Sequence, residues 1–177
     1  MKEIELLGKR FLVKDYYCAS EDRNYIMNPD PKFWLYINLT NYCPAYCPFC
    51  VARKTITESN HISLKKLEIM LSRISAHLSG ISITGGEPLT EIGCLRAAVH
   101  VIRDVVGNQI ELDLATNGYN IMTLDKELLK QFTTIHISRH AVLDEEQNRI
   151  MEWKAPSLED LSNWLGRQLV FKADNIL

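Results

Sequence analysis

Thr40-Asn41-Tyr42-Cys43-Pro44-Ala45-Tyr46-Cys47-Pro48-Phe49-Cys50 gathers three of the chain's five cysteines into eight residues, spaced C-x3-C-x2-C. Thiolates placed so closely on one loop are metal ligands by chemistry. Three of them can ligate three irons of a cubane cluster, leaving the fourth iron open to a substrate or cofactor. Pro44 and Pro48 narrow the conformations of the free loop, so less entropy is lost when the sulfurs converge. Structural zinc, with His61 or Cys94 as fourth ligand, is the competing reading. Zinc sites more often pair two C-x-x-C knuckles or add a histidine pair, and only one C-x-x-C is present. The two remaining cysteines, Cys18 and Cys94, read as free thiols, buried or partly buried.

A second segment able to do chemistry is Thr84-Gly85-Gly86-Glu87-Pro88. Paired glycines let backbone approach a ligand closely. The Glu87 carboxylate could accept a charge-assisted hydrogen bond from an ammonium group, and Pro88 fixes the exit from the loop. The same residues also suit a plain turn before a helix.

These loops need strands and helices to hold them. Ile4, Leu6, Phe11 and Val13 flank Gly8-Lys9-Arg10 as a hairpin. Asn28-Pro29-Asp30-Pro31 then breaks the chain, dividing an N-terminal extension (1–31) from a main domain (32–177). Phe33 to Leu39 reads as a strand. Leu64, Leu67, Leu71, Ile74 and Leu78 draw one helical stripe, with Ser63 as N-cap and Gly80 as C-terminal stop. Ile81–Thr84 follows as a strand, and Leu95, Val99, Ile102 and Val106 form a helix closed by Gly107. Ile110–Ala115 is a strand, Leu124 to Phe132 a helix capped by Thr123, and Thr134–Ser138 a strand. A helix from Asp144 to Trp153 ends before Pro156. Ser157 and Asp160 resemble a capping box for a last helix, on which Trp164 reads as a packing residue, and Leu169–Lys172 begins a fifth strand. Such alternation predicts an α/β fold with parallel strands, whose ligands lie at the carboxyl ends of the strands. Both chemical loops fall there.

Cys43, Cys47, Phe49 and Cys50, placed directly after the first main-domain strand, resemble the C-x3-C-x-aromatic-C signature of the radical S-adenosylmethionine (SAM) superfamily. Gly85-Gly86-Glu87-Pro88, one helix later, resembles that family's GGEP motif. The resemblance implies a partial (β/α)6 TIM-like barrel with about five strands visible, a [4Fe-4S] cluster on the three cysteines, and SAM as second cofactor. In the family an electron from the reduced cluster cleaves a carbon–sulfur bond of SAM. The resulting 5′-deoxyadenosyl radical abstracts hydrogen from the substrate. It further implies that Phe49 lies near the adenine and that the GGEP loop binds the methionine amino group. Asn117, in Thr116-Asn117-Gly118, falls near the cofactor or substrate, while Ser138 and Arg139 reach the ribose or the methionine carboxylate. His140 reads either as a substrate-facing acid or base or as an ordinary loop histidine.

An electron donor such as flavodoxin or ferredoxin and a small-molecule or peptide substrate follow from the same resemblance. Five strands where the family has six imply a fragment, or a partner or second copy covering the open barrel edge. A non-catalytic metal-binding module that docks on another protein is the rival function. The 177 residues carry a net charge of −2, 46% hydrophobic and 24% charged residues. That balance argues against a broad nucleic-acid-binding surface. No apolar run is long enough to span a membrane, and a cytoplasmic protein is expected.

Overall fold

A computed structural model of the chain describes residues 2–6, 9–13, 32–50 and 60–165. The elements are β1 (Lys2–Leu6), β2 (Lys9–Val13), β3 (Phe33–Asn38), α1 (Leu64–Ile74), β4 (Leu78–Thr84), α2 (Ile92–Val106), β5 (Glu111–Thr116), α3 (Lys126–Leu129), β6 (Thr134–Ile137), α4 (Asp144–Met151) and α5 (Leu158–Leu165). β1 and β2 pair antiparallel, as the hairpin reading expects. The expected fifth strand of the main domain, at 169–172, lies outside the described residues, as do Cys18 and the expected break at 28–31.

β3, β4, β5 and β6 form one parallel sheet in that order, with Tyr36 opposite Ser82 and Ser82 opposite Asp113. Sequential order without reversal is the pattern of a singly wound barrel, in which every crossover returns on the same side. Strand alternation sends Ile37, Ile81, Ile83, Leu112 and Leu114 to the apolar face. There they join Leu67 and Leu71 of α1, Leu95, Val99 and Ile102 of α2, and Leu161 of α5 in one buried core. The other face carries Tyr36, 65% exposed, with Ser82, Asp113 and His136, whose Nε2 lies 3.2 Å from Asp113 Oδ2.

Several local expectations are corrected. Gly80 does not end α1; after a short 3-10 turn at Ser75–His77 the strand has already begun at Leu78. Gly80 instead makes room for Trp34 on β3: a Cβ there would lie 2.3 Å from the indole. Ser63 occupies the N-cap position of α1 without a side-chain bond. The cap of α3 is Asp125, whose Oδ1 accepts from Leu128 N at 2.9 Å, whereas Thr123 donates its hydroxyl to Asn120 O. Gly107 does close α2, with φ +82°. Ser157 Oγ accepts from Asp160 N at 3.0 Å at the start of α5.

Candidate functional site

All the motif loops lie at the carboxyl ends of the parallel strands, where a barrel's ligands bind. The chain leaves β3 through Leu39 and Thr40 and returns to them. Ile62 N donates to Leu39 O, Asn41 N to Asn60 O, and Thr40 bridges His61. The cysteine segment is therefore an excursion pinned at its neck. Within it, Cys50 N donates to Cys47 O at 3.1 Å, closing a turn at Pro48-Phe49 that brings the second and third cysteines together. Cys43, Cys47 and Cys50 are all thiols of intermediate burial.

The GGEP loop packs against this neck. Gly86 N donates to Thr40 O and Glu87 N to Tyr42 O, both at 2.7 Å. A Cβ on Gly85, whose φ is +148°, would meet Thr40 O at 2.4 Å, and one on Gly86 would meet Tyr42 O at 2.2 Å. Close approach is indeed what the glycines permit, but the backbone they approach is the chain's own. Their absent side chains let the two motif loops share hydrogen bonds.

Glu87 is fully buried. Its Oε1 accepts from Leu89 N (2.9 Å) and Thr116 Oγ1 (2.7 Å), and its Oε2 from Asn117 N (2.6 Å). Burial pushes its carboxyl above the ordinary range, and the bonds from Asn117, Thr116 and Leu89 pull it back part of the way. In this arrangement Glu87 is a joint between the loop after β4 and the loop after β5, and also the N-cap of the turn that begins at Pro88. A carboxylate so engaged is a brace between the two loops.

Asn117 completes the connection. It is buried, and its Nδ2 lies 3.5 Å from Cys43 Sγ. Burial holds the Cys43 thiol above its usual range, with the charges of Glu87, Cys47 and Cys50 adding to the effect and a backbone bond at Ala45 opposing it. The cysteines thus feel one another and a carboxylate. Three thiols of intermediate burial on one loop are by their chemistry a donor set for a thiolate-bound metal group.

Phe49 is 55% exposed and meets the His140 ring edge-on, with centroids 4.6 Å apart. This puts the loop after β6 beside the cysteine loop. Partial burial lowers the His140 pKa. Ser138 is exposed at the end of β6, its N–H donating to Thr116 O. Arg139 is differently employed from the carboxylate fork that sequence suggested. Its guanidinium donates to Pro156 O, Val142 O and Asp144, and so ties the β6 loop to α4 and to the segment that leads into α5.

Two further braces carry no sequence motif. Gln147 of α4 is buried; its Oε1 accepts from His140 N (2.6 Å) and Ala141 N (3.1 Å). One turn later Met151 O accepts from Tyr46 N at 2.9 Å. Helix α4 therefore clamps the β6 loop and the cysteine loop together. The only trace in the sequence is the Gln147/Met151 pair at helical spacing on a largely charged helix. Of the residues weighed as a fourth zinc ligand, His61 Nε2 lies 3.9 Å from Glu91, and Cys94 sits on α2. Among the described residues no three His, Cys, Asp or Glu side chains gather closely enough to hold a single metal ion.

With three motif loops joined at one end of a parallel sheet, comparison with known proteins decides the family. The model of the radical SAM superfamily matches residues 37–164. The chain belongs to the radical SAM superfamily. This family uses a [4Fe-4S] cluster and SAM, and its members are enzymes. Among curated proteins, the radical SAM chain is 23% identical over 144 residues to the GTP 3′,8-cyclase of Paracoccus denitrificans (strain Pd 1222), a match that covers 78% of this chain and 42% of that enzyme. Among solved structures it resembles Streptococcus suis SuiB bound to S-adenosylmethionine, with a TM-score of 0.57, 18% identity, and coverage of 75% of this chain and 30% of SuiB. SuiB bound to its precursor peptide SuiA gives 0.54 at 17% identity, covering 75% and 29%. Histidine-tagged anSMEcpe with bound AdoMet gives 0.52 at 21%, covering 67% and 35%. These likenesses show the partial TIM-type barrel; the chain spans less than half the length of each of these proteins. Among the described residues no helix is long and apolar enough to cross a membrane.

Proposed function

We propose that Cys43, Cys47 and Cys50 hold a [4Fe-4S] cluster whose open iron takes SAM, and that the chain belongs to an enzyme producing a 5′-deoxyadenosyl radical for hydrogen abstraction. The carrying observation is Asn117, which donates to Glu87 through its backbone (2.6 Å) and approaches Cys43 Sγ through its amide (3.5 Å). One residue thereby links the cysteine loop, the GGEP loop and the TNG loop. A mere turn at Gly85-Gly86 would have no need of a residue that binds its neighbouring carboxylate and also reaches a cysteine sulfur.

In this reading the cluster supplies the electron when bound, and the chain's own residues do the placing. Thr40 and Tyr42 hold the GGEP loop beside the cysteines, Glu87 fixes its distance from β5, and Pro88 starts the buried turn behind it. Phe49, half exposed against His140, offers an apolar ring to the adenine. Ser138 offers a hydroxyl at the end of β6. Arg139 serves as the brace behind Ser138 rather than as a SAM ligand. Residues 32–177 form the core of the catalytic domain, and 1–31 an extension.

An external one-electron donor, flavodoxin- or ferredoxin-like, reduces the cluster. The radical's target is a small molecule or a peptide; the named relatives include a nucleotide cyclase and a protein bound to a precursor peptide. The thiolate site suits a reducing, cytoplasmic compartment. The test is anaerobic reconstitution with iron and sulfide. About four irons per chain and a brown chromophore are expected, with loss of both in Cys47→Ala. Full iron and sulfide in that variant would remove the ligand assignment.

A further inference from the structure

We propose that Asn117 is a positioning residue that donates an N–H···S hydrogen bond to the cluster-ligating sulfur of Cys43 and thereby raises the reduction potential of the bound cluster. The inference rests on the cluster reading above and adds to it a residue that sets the redox property.

The orientation of the amide carries the argument. Oδ1 of Asn117 accepts from Tyr119 N at 2.9 Å, a turn closed by the side chain over two residues. The backbone N of Asn117 is held by Glu87 Oε2 at 2.6 Å. Thr116 Oγ1, which donates to the other oxygen of Glu87, accepts from Gly118 N at 2.9 Å. Each neighbour of Asn117 is thus fixed, and with Oδ1 on Tyr119 N–H only Nδ2 is left to face Cys43 Sγ, 3.5 Å away. A flipped amide would set donor against donor at Tyr119 and an oxygen lone pair against a thiolate. Both contacts are repulsive, so a single orientation survives.

The consequence follows from charge. A sulfur that ligates iron is anionic, and an amide donor of a buried residue stabilises that negative charge in surroundings of low dielectric. Adding one electron increases the negative charge on the sulfurs, so the donor stabilises the reduced state more than the oxidised one and moves the potential upward. Asn117 thus bonds the Glu87 carboxylate through its backbone N–H and faces Cys43 Sγ with its side-chain amide.

The experiment uses the full chain as wild type, Asn117→Ala and Asn117→Asp, each reconstituted anaerobically. Iron and sulfide content and an EPR-monitored redox titration are recorded without SAM or substrate. Asn117→Asp keeps the acceptor for Tyr119 N and replaces the donor with a carboxyl group, so it carries the test if the alanine variant folds poorly. The expected result is a cluster whose midpoint moves to more negative potential in Asn117→Ala, and further in Asn117→Asp. Loaded variants with the wild-type midpoint, or a shift to more positive values, overturn the proposal and leave the cluster reading standing. A wild-type chain that takes up no cluster overturns both, and iron analysis separates that case from the former.

Discussion

Replacing Gly86 with alanine puts a methyl group where the backbone of the cysteine loop already lies. The new Cβ would sit 2.2 Å from Tyr42 O, 2.5 Å from Tyr42 C and 2.7 Å from Asn41 O, all backbone atoms that no side-chain rotation can move. Restoring an ordinary contact requires about 1 Å of separation between the two loops. That opening breaks the bonds from Gly86 N to Thr40 O and from Glu87 N to Tyr42 O, both 2.7 Å long. Each contributes about 1 kcal/mol net, and forced displacement in a packed region adds about 1–3 kcal/mol. The expected destabilisation is about 3–5 kcal/mol, a large part of the roughly 5–15 kcal/mol that holds a domain together. Gly93, in the first turn of α2, is the control. A Cβ there meets nothing within 4 Å, so Gly93→Ala should stabilise by about 0.4–1 kcal/mol through the unfolded chain. Urea unfolding of both variants tests this, alongside iron uptake, which should fall in Gly86→Ala because Tyr42 immediately precedes Cys43. If Gly86→Ala unfolds within about 0.5 kcal/mol of wild type, the loop-to-loop contact is not what the glycine is for.

Glu87→Gln should destabilise by about 1–2 kcal/mol, because one of three buried donors then faces an amide N–H instead of an oxygen; thermal unfolding checks it, and an unchanged midpoint would deny that the carboxylate is a joint. Asp144, whose carboxyl Arg139 holds below the usual aspartate range, contributes stability that is present above the ordinary pKa of 3.8 and lost as pH falls through the lower folded value. Asp144→Asn should therefore flatten the acid side of the stability profile and leave the slope near neutrality unchanged; an acid limb as steep as wild type would remove the Arg139 brace from the account.

Features that depend on neighbours in the chain were legible from the residues. The cysteine spacing, the GGEP segment, the closing of α2 at Gly107 and the four parallel strands among the described residues all arise from short-range pattern and alternation. What was not legible depends on partners far away in sequence. Gly80 looks like a helix stop because stops are commonly glycine. Its actual reason is the Trp34 indole on the neighbouring strand, which only the register of β3 against β4 reveals. Arg139 and Glu87 have the chemistry of ligand contacts. The fold surrounds both with internal partners from α4, the segment before α5 and the β5 loop, and no local pattern announces that. Gln147 is invisible for the same reason: a single buried amide on a charged helix has no motif, yet it holds two backbone N–H groups of the β6 loop.

The most direct test of the central claim is the response of the reduced cluster to SAM. The chain is reconstituted anaerobically, reduced with dithionite and given SAM, and both the EPR spectrum and the formation of 5′-deoxyadenosine are followed against Cys43→Ala. A spectrum altered by SAM, with 5′-deoxyadenosine above the variant's background, is the predicted result. A reduced cluster whose spectrum ignores SAM and yields no 5′-deoxyadenosine would contradict the claim that these three loops build a SAM-cleaving site.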